Sequence, residues 1–281
     1  MENKSLISVV VFTYNSEKYI CDTLNSVYSQ DYERIELIVS DDGSKDSTCD
    51  LVENWMASHK QKFESCTLIK SFKNRGTCAN YNQGVYNSHG EYIKTLDGDD
   101  ILYLPTALSD YLAFINNNKL EICISDVEVF STEEYDLPLS RKVYEMYFSC
   151  VKESLQEQKK RINKELRIPD PGLFFSRRLY NEVDGFDEKY KLQEEWPFFM
   201  KVLDKNYHIG ALDNKLVGYR LASTSATNGK VEKSAVKKIC IKDNLDFFLD
   251  KRLKRLLREK EYALACNQLY TYIRMYLKQI I

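Results

Sequence analysis

The sequence carries little net charge and lacks a long apolar run. Among its 281 residues, 40 Lys and Arg oppose 42 Asp and Glu, which leaves a formal net charge of −2. Proteins that bind nucleic acid through its phosphates usually present a strong basic field, so this balance argues against a nucleic-acid partner. The longest apolar run near the start covers only residues 9–12, far short of a membrane span. No basic segment followed by an apolar one begins the chain, so the sequence predicts no signal peptide.

The eight cysteines also lack a regular arrangement. None stands in the C-x-x-C spacing that is typical of metal-binding or redox motifs. Hydrophobic residues make up 43% of the chain, enough for a core and too many for a disordered protein. We therefore interpret the cysteines as reduced thiols of a cytoplasmic protein. The length fits one large α/β domain, or a domain with an appendage.

Three carboxylates stand within four residues after a strand-like segment. Residues 92–96 are rich in strand formers, and Asp97, Asp99 and Asp100 follow them around a glycine. Like charges so close repel one another, and a divalent cation such as Mg²⁺ or Mn²⁺ would relieve the repulsion because it prefers hard oxygen ligands. An acidic, solvated turn is the alternative, since Asp and Gly are ordinary turn residues. Taken alone, so short a motif favours the turn, and the rest of the chain reverses that preference.

Strand and helix patterns alternate four times in the first hundred residues. The first three predicted strands cover residues 7–12, 36–40 and 66–71, and a fourth begins at Tyr92. Helical patterns separate these strands. This spacing predicts βαβ units, and hence a mostly parallel sheet with helices on both faces.

The predicted sheet brings polar residues together at one edge. Ligands of such sheets bind at the carboxyl ends of the strands, and the segments 13–15, 41–42 and 97–100 all follow strands. The ring of Tyr14 could stack on a base, a carboxylate could accept a hydrogen bond from a uracil N–H, and a metal could hold a diphosphate. A structural role, as a turn and a helix cap, fits the residues around Asp42 as well as a binding role does.

The second half of the chain is less regular. A strand pattern covers residues 121–130, and two prolines bend the chain within 168–175 before another short strand. Residues 139–166 are polar and helix-prone; a solvated helix is the favoured interpretation, and an insertion that shapes the crevice is the alternative. Glu194 and Glu195 begin a further helix. Acidic residues at a helix N-terminus stabilise the helix because they interact favourably with its dipole and its unpaired N–H groups, which is an ordinary structural role.

The last segment, residues 233–278, combines many Lys and Arg residues with apolar residues at helical spacing. A basic amphipathic helix can lie on an anionic membrane or cap a domain. Capping is the favoured interpretation, and peripheral membrane association through these helices is the alternative.

Four segments of the first half resemble, in order and spacing, the family 2 glycosyltransferases of the GT-A fold. They cover residues 8–15 (SVVVFTYN), 39–44 (VSDDGS), 74–84 (NRGTCANYNQG) and 96–100 (LDGDD). The resemblance implies a Rossmann-like, mostly parallel α/β sheet with helices on both faces, here followed by a C-terminal helical extension. It also implies a nucleotide-diphosphate-sugar donor, usually UDP- or dTDP-linked, and a divalent metal, Mg²⁺ or Mn²⁺.

The resemblance assigns donor-binding roles by position. Tyr14 and Asp42 would face the base, with Asp41 close by. Arg75 would lie near the donor, and Asp97 near its ribose or sugar. Asp99 would ligate the metal, with Asp100 as the alternative ligand.

In the second half, the resemblance points to a general base at the start of a helix. The family places a Glu-Asp pair there and uses the second acid, so Glu195 is the predicted base and Glu194 the reserve. Glu195 departs from the usual Asp and is longer by one methylene. Within the segment 217–225, Arg220 would approach the diphosphate, and Ala222 replaces a histidine that is frequent in the family.

The resemblance therefore predicts an inverting, metal-dependent glycosyltransferase that moves a sugar from a UDP-sugar to a glycan or lipid-linked acceptor in surface polysaccharide synthesis. The predicted location of the protein is the cytoplasm, at the inner face of the membrane if the C-terminal helices bind lipid. We expect a catalytic domain at 1–230, with a nucleotide-sugar half at 1–105 and an acceptor half at 106–230, and a basic helical extension at 231–281. The alternatives are a non-catalytic sugar-binding module of the same fold and a dehalogenase-type phosphatase, in which the carboxylate clusters should occur in the opposite order.

Overall fold

The computed structural model describes residues 4–133, 137–164, 168–221 and 233–278. It contains one sheet of eight strands, in the order β3-β2-β1-β4-β7-β6-β8-β5. The strands are β1 (Ile7–Thr13), β2 (Ile35–Asp41), β3 (Ser65–Lys70), β4 (Tyr92–Asp97), β5 (Ile101–Leu102), β6 (Ile122–Phe130), β7 (Leu173–Ser176) and β8 (Gly210–Arg220).

Helices cover the sheet and continue beyond it. Around the sheet they are α1 (Ile20–Tyr28), α2 (Thr48–His59), α3 (Thr77–Tyr86), α4 (Ala107–Asn118), α5 (Leu137–Val151), α6 (Leu155–Lys164), α7 (Arg177–Glu182) and α8 (Glu195–Asp204). At the C-terminal end they are α9 (Lys233–Phe247), a π-helical turn (Phe248–Arg252), α10 (Leu253–Arg258) and α11 (Tyr262–Leu277). Within the described ranges, no helix is both long and apolar enough to span a membrane.

The central strand β1 sets the position of the site. All seven of its residues are buried, as expected for a β-branched run covered by helices on both faces. It pairs in parallel with β2 and β4, with Thr13 opposite Asp41 and Phe12 opposite Asp97. This register brings the carboxyl ends of the three strands to one edge of the sheet, which confirms the predicted parallel βαβ arrangement.

The second half of the sheet changes direction. β7 runs antiparallel to both β4 and β6, whereas β6 and β8 are parallel to each other. The short strand β5, which follows the Asp97–Asp100 cluster, pairs antiparallel with β8. The chain after β4 therefore folds back against β8, so that this acidic cluster is held between the two halves of the sheet.

The favoured interpretation of residues 139–166 as a solvated helix is wrong. Helices α5 and α6 occupy most of this segment, and both contribute to the core. Tyr144, Phe148 and Val151 of α5 are buried, as is Ile162 of α6. The side-chain composition of the segment is polar overall, and the few apolar residues lie on the packed face, where they decide its position.

The C-terminal helices pack against the sheet domain, and α9 contributes to its core. Phe247 belongs to the main hydrophobic core, whereas Phe248, Leu256 and Ala265 form a second, smaller cluster among the C-terminal helices. This packing agrees with the capping interpretation. The predicted boundary at residues 230 and 231 lies outside the described residues and stays a prediction.

Candidate active site

A cavity of about 990 Å³ opens at the carboxyl ends of β1 and β4. Its lining comes from eight parts of the chain: residues 12–19 at the end of β1, Asp46, helix α3, residues 97–99 at the end of β4, helix α5, the segment 169–171, the start of α8, and residues 219 and 221 around the end of β8. The two halves of the sheet thus meet around one space, large enough for a nucleotide sugar and part of an acceptor.

The three carboxylates after β4 do not face the same way. Asp97 and Asp99 line the cavity. Asp100 is buried beneath them and accepts a hydrogen bond from the Arg220 backbone N–H at 2.8 Å. Of the two predicted metal ligands, Asp99 is therefore the one that can reach a ligand in the cavity, and Asp100 fixes the turn.

Asp97 lies in a buried and negatively charged environment. Burial raises the pKa of its carboxyl, and the nearby negative charges of Asp170 and Asp99 raise it further. The hydroxyl of Tyr81 donates to Asp97 at 2.8 Å and opposes this rise. A cation placed among these oxygens would lower the cost of keeping them ionised, and an all-carboxylate donor set suits Mg²⁺ or Mn²⁺.

Arg220 braces the acidic turn. Its Nε donates to the carbonyl oxygen of Asp99 at 2.7 Å, and its Nη2 to Asp22 at 3.1 Å. The guanidinium lies between the rings of Tyr19 and Phe130, 4.4 and 4.6 Å from their centroids. It is not among the cavity-lining residues, so its contact with a diphosphate stays a prediction. Ala222, which follows it in the same motif, lies outside the described residues.

Asp41 and Asp42 organise two turns beside the cavity. Asp41 accepts hydrogen bonds from the N–H groups of Gly43 and Ser44, at 3.0 and 2.8 Å. Gly43 has a φ of 79°, and a Cβ there would lie 2.8 Å from the Lys73 carbonyl carbon, so this turn requires glycine.

The Asp42 carboxylate holds the entry to α3. It is buried and accepts from the backbone N–H groups of Arg75 at 2.8 Å and Gly76 at 2.9 Å. The Arg75 side chain is exposed and donates to Gln83. Neither Asp41, Asp42 nor Arg75 lines the cavity, whereas Tyr14 does and is 42% exposed. The predicted base contact of Asp42 therefore requires one of its remaining lone pairs, and it stays a prediction.

A second acidic cluster lines the same cavity. Carboxylate oxygens of Asp170, Glu194 and Glu195 lie within 4.8 Å of one another. Asp170 and Glu195 are hydrogen bonded, which requires that the pair hold a proton between them. Burial raises the pKa of the Asp170 carboxyl, and this hydrogen bond opposes the rise. When the shared proton lies on Asp170, the Glu195 carboxylate can accept another, which is the chemistry expected of a general base and its partner.

Sequence reasoning did not identify Asp170. Its segment, Pro169-Asp170-Pro171, was interpreted only as a bend before β7. The signal that could have found it is an acidic residue fixed between two prolines just before a strand, a rigid position for a side chain at a strand edge.

A buried lysine, also not identified from the sequence, links the strand that carries Asp97 to the segment that carries Asp170. Lys94 of β4 is fully buried, and its Nζ donates to the carbonyl oxygens of Pro171 at 3.0 Å and Leu173 at 3.2 Å. Burial lowers the pKa of its ammonium to about 8, and Asp100, Asp170 and Asp97 oppose that effect. The lysine therefore anchors the segment that carries Asp170 to the strand that carries Asp97.

Aromatic and apolar residues complete the cavity. Tyr14, Tyr19 and Tyr219 lie along the sheet side, and α5 adds Leu139, Val143, Tyr144 and Tyr147. Flat aromatic faces beside hydrogen-bonding groups suit a base or a sugar ring, which has an apolar face and polar edges. Helix α5 thus shapes the cavity, as the alternative interpretation of this segment predicts.

Known proteins resemble this chain over most of its length. The model of glycosyl transferase family 2 matches residues 8–184. The uncharacterized glycosyltransferase MJ1057 of Methanocaldococcus jannaschii is 25% identical over 232 residues, covering 82% of this chain and 76% of that protein. The GalNAc(5)-diNAcBac-PP-undecaprenol beta-1,3-glucosyltransferase of Campylobacter jejuni is 30% identical over 203 residues, covering 65% of this chain and 62% of that protein.

Solved structures share the fold at lower identity. Residues 1–349 of TarS from S. aureus, in complex with UDP-GlcNAc, superpose with a TM-score of 0.62 at 23% identity, over 96% of this chain and 81% of that one. The mannosyltransferase PcManGT from Pyrobaculum calidifontis, in complex with GDP-Man and Mn²⁺, gives a TM-score of 0.63 at 17% identity, over 99% and 74%. With the family model covering more than half of its residues, this chain belongs to glycosyl transferase family 2 and has the GT-A fold.

Proposed function

We propose that this glycosyltransferase moves a sugar from a UDP-sugar to an acceptor hydroxyl with inversion at the anomeric carbon. The observation that carries the proposal is a single cavity lined by two acidic clusters, Asp97 with Asp99 and Asp170 with Glu194 and Glu195. On this proposal the donor diphosphate lies beside the first cluster and the acceptor hydroxyl beside Glu195. The acceptor would then meet the donor from the face opposite the leaving group.

The chemistry is a single displacement. The acceptor oxygen forms a bond to the anomeric carbon while the bond from that carbon to the diphosphate oxygen breaks. Glu195 takes the acceptor proton as a carboxylate, which requires that the proton shared with Asp170 lie on Asp170, whose O–H then donates to Glu195. The nucleoside diphosphate leaves with the electron pair. One base suffices because no protein nucleophile intervenes.

The donor half is assigned by the same logic. Tyr14 would stack on the uracil, and Asp42, with Asp41 beside it, would read the base edge. Arg75 and Arg220 would supply positive charge near the diphosphate, and Asp97 would contact the ribose or sugar. A divalent cation, Mg²⁺ or Mn²⁺, held by Asp99 would neutralise charge on the departing diphosphate. The complexes of TarS with UDP-GlcNAc and of PcManGT with GDP-Man and Mn²⁺ support a nucleotide-sugar donor and a divalent cation.

The acceptor class follows from the relatives. The Campylobacter jejuni enzyme is named for an undecaprenol-diphosphate-linked acceptor, and another relative, GgaA of Bacillus subtilis, is a minor teichoic acid biosynthesis protein that is 27% identical over 232 residues. We extend this to a glycan or lipid-linked acceptor in surface polysaccharide synthesis. In that setting residues 1–105 would bind the donor, residues 106–230 the acceptor, and residues 231–281 would complete the domain.

The test is a transfer assay with a panel of UDP-, dTDP- and GDP-sugars, Mn²⁺ and sugar or polyprenyl-diphosphate-sugar acceptors. Thermal shift selects the donor first, because a ligand that binds only the folded state raises its apparent stability. The anomeric configuration of the product is then read by NMR. Release of UDP coupled to a product of inverted configuration is expected. Donor binding without transfer to any acceptor would favour a non-catalytic module, and a retained configuration would exclude the single displacement.

A further inference from the structure

The segment that precedes the proposed base is held from both sides. On one side it lies against the start of α3, where a Cβ on Gly76 would come within 2.7 Å of the Lys191 carbonyl oxygen. On the other side lies α9, whose Asp243 is buried and accepts from the Leu192 N–H at 2.8 Å and from the Lys191 N–H. Two consecutive backbone donors, just ahead of Glu194, therefore depend on one carboxylate of the C-terminal helices.

The π-helical turn continues this contact. Asp250 pairs with the Lys189 ammonium and accepts from the Tyr190 hydroxyl at 3.2 Å. Phe247, just before the turn, packs against Tyr190 with ring centroids 5.5 Å apart. π-helical turns frequently occur where a helix serves a functional site, and here the turn faces the loop that leads into α8.

The contact ends directly beside Glu195. Trp196 is buried, and its indole N–H donates to the Ile162 carbonyl oxygen at 2.7 Å. The guanidinium of Arg252, which is 1% exposed, lies 3.9 Å from the centroid of the Trp196 ring. Arg252 also donates to the Asn163 carbonyl oxygen at 3.0 Å, so the same cation links α6 to the first turn of α8.

We propose that Asp243 and Arg252 are positioning residues for the base, acting through the loop at 189–194 and through Trp196. A general base works only within hydrogen-bond reach of the proton it removes, and a displacement of about 1 Å is enough to lower the rate strongly. On this proposal, which rests on the proposed role of Glu195, the C-terminal helices hold the N-terminal end of α8 at its working position.

The chain offers a matched control at the other end of the same helix. Arg255 of α10 pairs with Asp204, the last residue of α8, at 2.6 Å, and also donates to the Asn163 side chain at 3.0 Å. Arg255→Met therefore removes an attachment between the same two parts of the protein without touching the loop or Trp196. Its transfer rate should stay within about twofold of the wild-type value.

The test compares the transfer kinetics of the full-length variants Asp243→Asn, Arg252→Met and Arg255→Met. The first two should lower kcat by about 10- to 100-fold while UDP affinity stays at its wild-type value. Hydrogen exchange should speed up at residues 191–196 in Asp243→Asn and remain unchanged in β1. Arg252→Lys, which keeps the charge but loses the planar stacking, replaces Arg252→Met if that variant does not fold.

A double variant separates positioning from a general structural role. If Asp243 acts through Glu195, Asp243→Asn should cost almost nothing more in a Glu195→Gln background. Wild-type kcat in both Asp243→Asn and Arg252→Met, an equal loss in Arg255→Met, or a fully multiplicative loss in the double variant would each overturn the proposal. Failure of the proposed function itself would be seen separately, as wild-type transfer by Glu195→Gln alone.

Discussion

At the scale of single residues, the surroundings of each acid determine its role in the site. Asp99 faces the cavity, whereas Asp100, the next residue, points into the protein and accepts from the Arg220 backbone. Two adjacent carboxylates of the same chemistry thus have different tasks. The side that each one faces follows from the short strand β5, which pairs with β8 directly after them.

This division predicts the metal ligand. Asp99→Asn should remove the enhancement of UDP binding by Mn²⁺. The metal affinity should fall by at least about 10- to 100-fold, because loss of a residue that only hydrogen bonds to a metal ligand already lowers the affinity by that factor. Asp100→Asn should keep the enhancement and lower the melting temperature, because it disturbs a buried hydrogen bond. Calorimetric titration of UDP with and without Mn²⁺ measures both. The assignment is wrong if Asp99→Asn retains the full metal effect and Asp100→Asn loses it.

Residue-scale features differ in how far the sequence predicts them. Asp97 and Asp99 were predictable because they follow a strand of the parallel half, where the register of β1 and β4 brings strand ends together. Asp170 and Lys94 were not. Their roles depend on β7 inserting antiparallel beside β4, a pairing between segments far apart in the chain that no local pattern encodes.

At the scale of elements, α5 is the helix whose contacts with substrate can most readily change. It lies over the cavity and presents Leu139, Val143 and Tyr147, one helical turn apart from one another, to its interior. The buried Tyr144 and Phe148 fix the helix to the sheet. An element with one face in the core and an adjacent face in the site can change its contacts with substrate without loss of fold.

We therefore expect α5 to contact the acceptor. Tyr147→Ala should raise the acceptor KM by about 10-fold, in line with the loss of about 1–1.5 kcal/mol of ring stacking, and leave UDP affinity unchanged. Its neighbour Met146 is 50% exposed and does not line the cavity, so Met146→Ala is the matched control. Steady-state kinetics with varied acceptor decides the matter. A change in donor KM instead would place α5 over the nucleotide.

At the scale of the whole molecule, the C-terminal helices both complete the core and present a second apolar face. One side of α11 packs against the other C-terminal helices through Ala265 and Gln268. A further stripe of exposed residues runs the length of the helix. It consists of Tyr262, Cys266, Tyr270, Ile273 and Leu277. Successive members are three or four residues apart, so they share one face, and Arg274 and Lys278 lie near its edge.

This stripe makes the membrane prediction specific. Tyrosines and basic residues at the edge of an apolar face suit the headgroup region of an anionic bilayer. Ile273→Glu should therefore abolish sedimentation of the protein with vesicles of acidic phospholipid, whereas Thr271→Glu, on another side of the same helix, should reduce it only slightly. Equal binding by both variants and the wild type, or no wild-type binding at all, would leave domain capping as the sole role of these helices.

The sequence indicated the helical character and the capping role of the C-terminal segment through its apolar spacing. It did not indicate that Asp243 and Arg252 reach the loop and the tryptophan beside Glu195. Those contacts join residues that are 51 positions apart in one case, and they depend on how α9 docks on the sheet domain. Helical periodicity predicts that a face is buried but does not specify its partner.

The account as a whole depends on one acid at the start of α8, and the transfer rate of Glu195→Gln tests it most directly. The substitution keeps the size and hydrogen-bonding reach of the side chain but cannot accept the acceptor proton. Donor affinity should survive while transfer falls by about 10²–10⁴, the usual contribution of a positioned general base. Glu194→Gln should cost far less, and Glu195→Asp should retain part of the activity. Near wild-type transfer by Glu195→Gln, with Glu194→Gln inactive, would contradict the account and move the base by one residue.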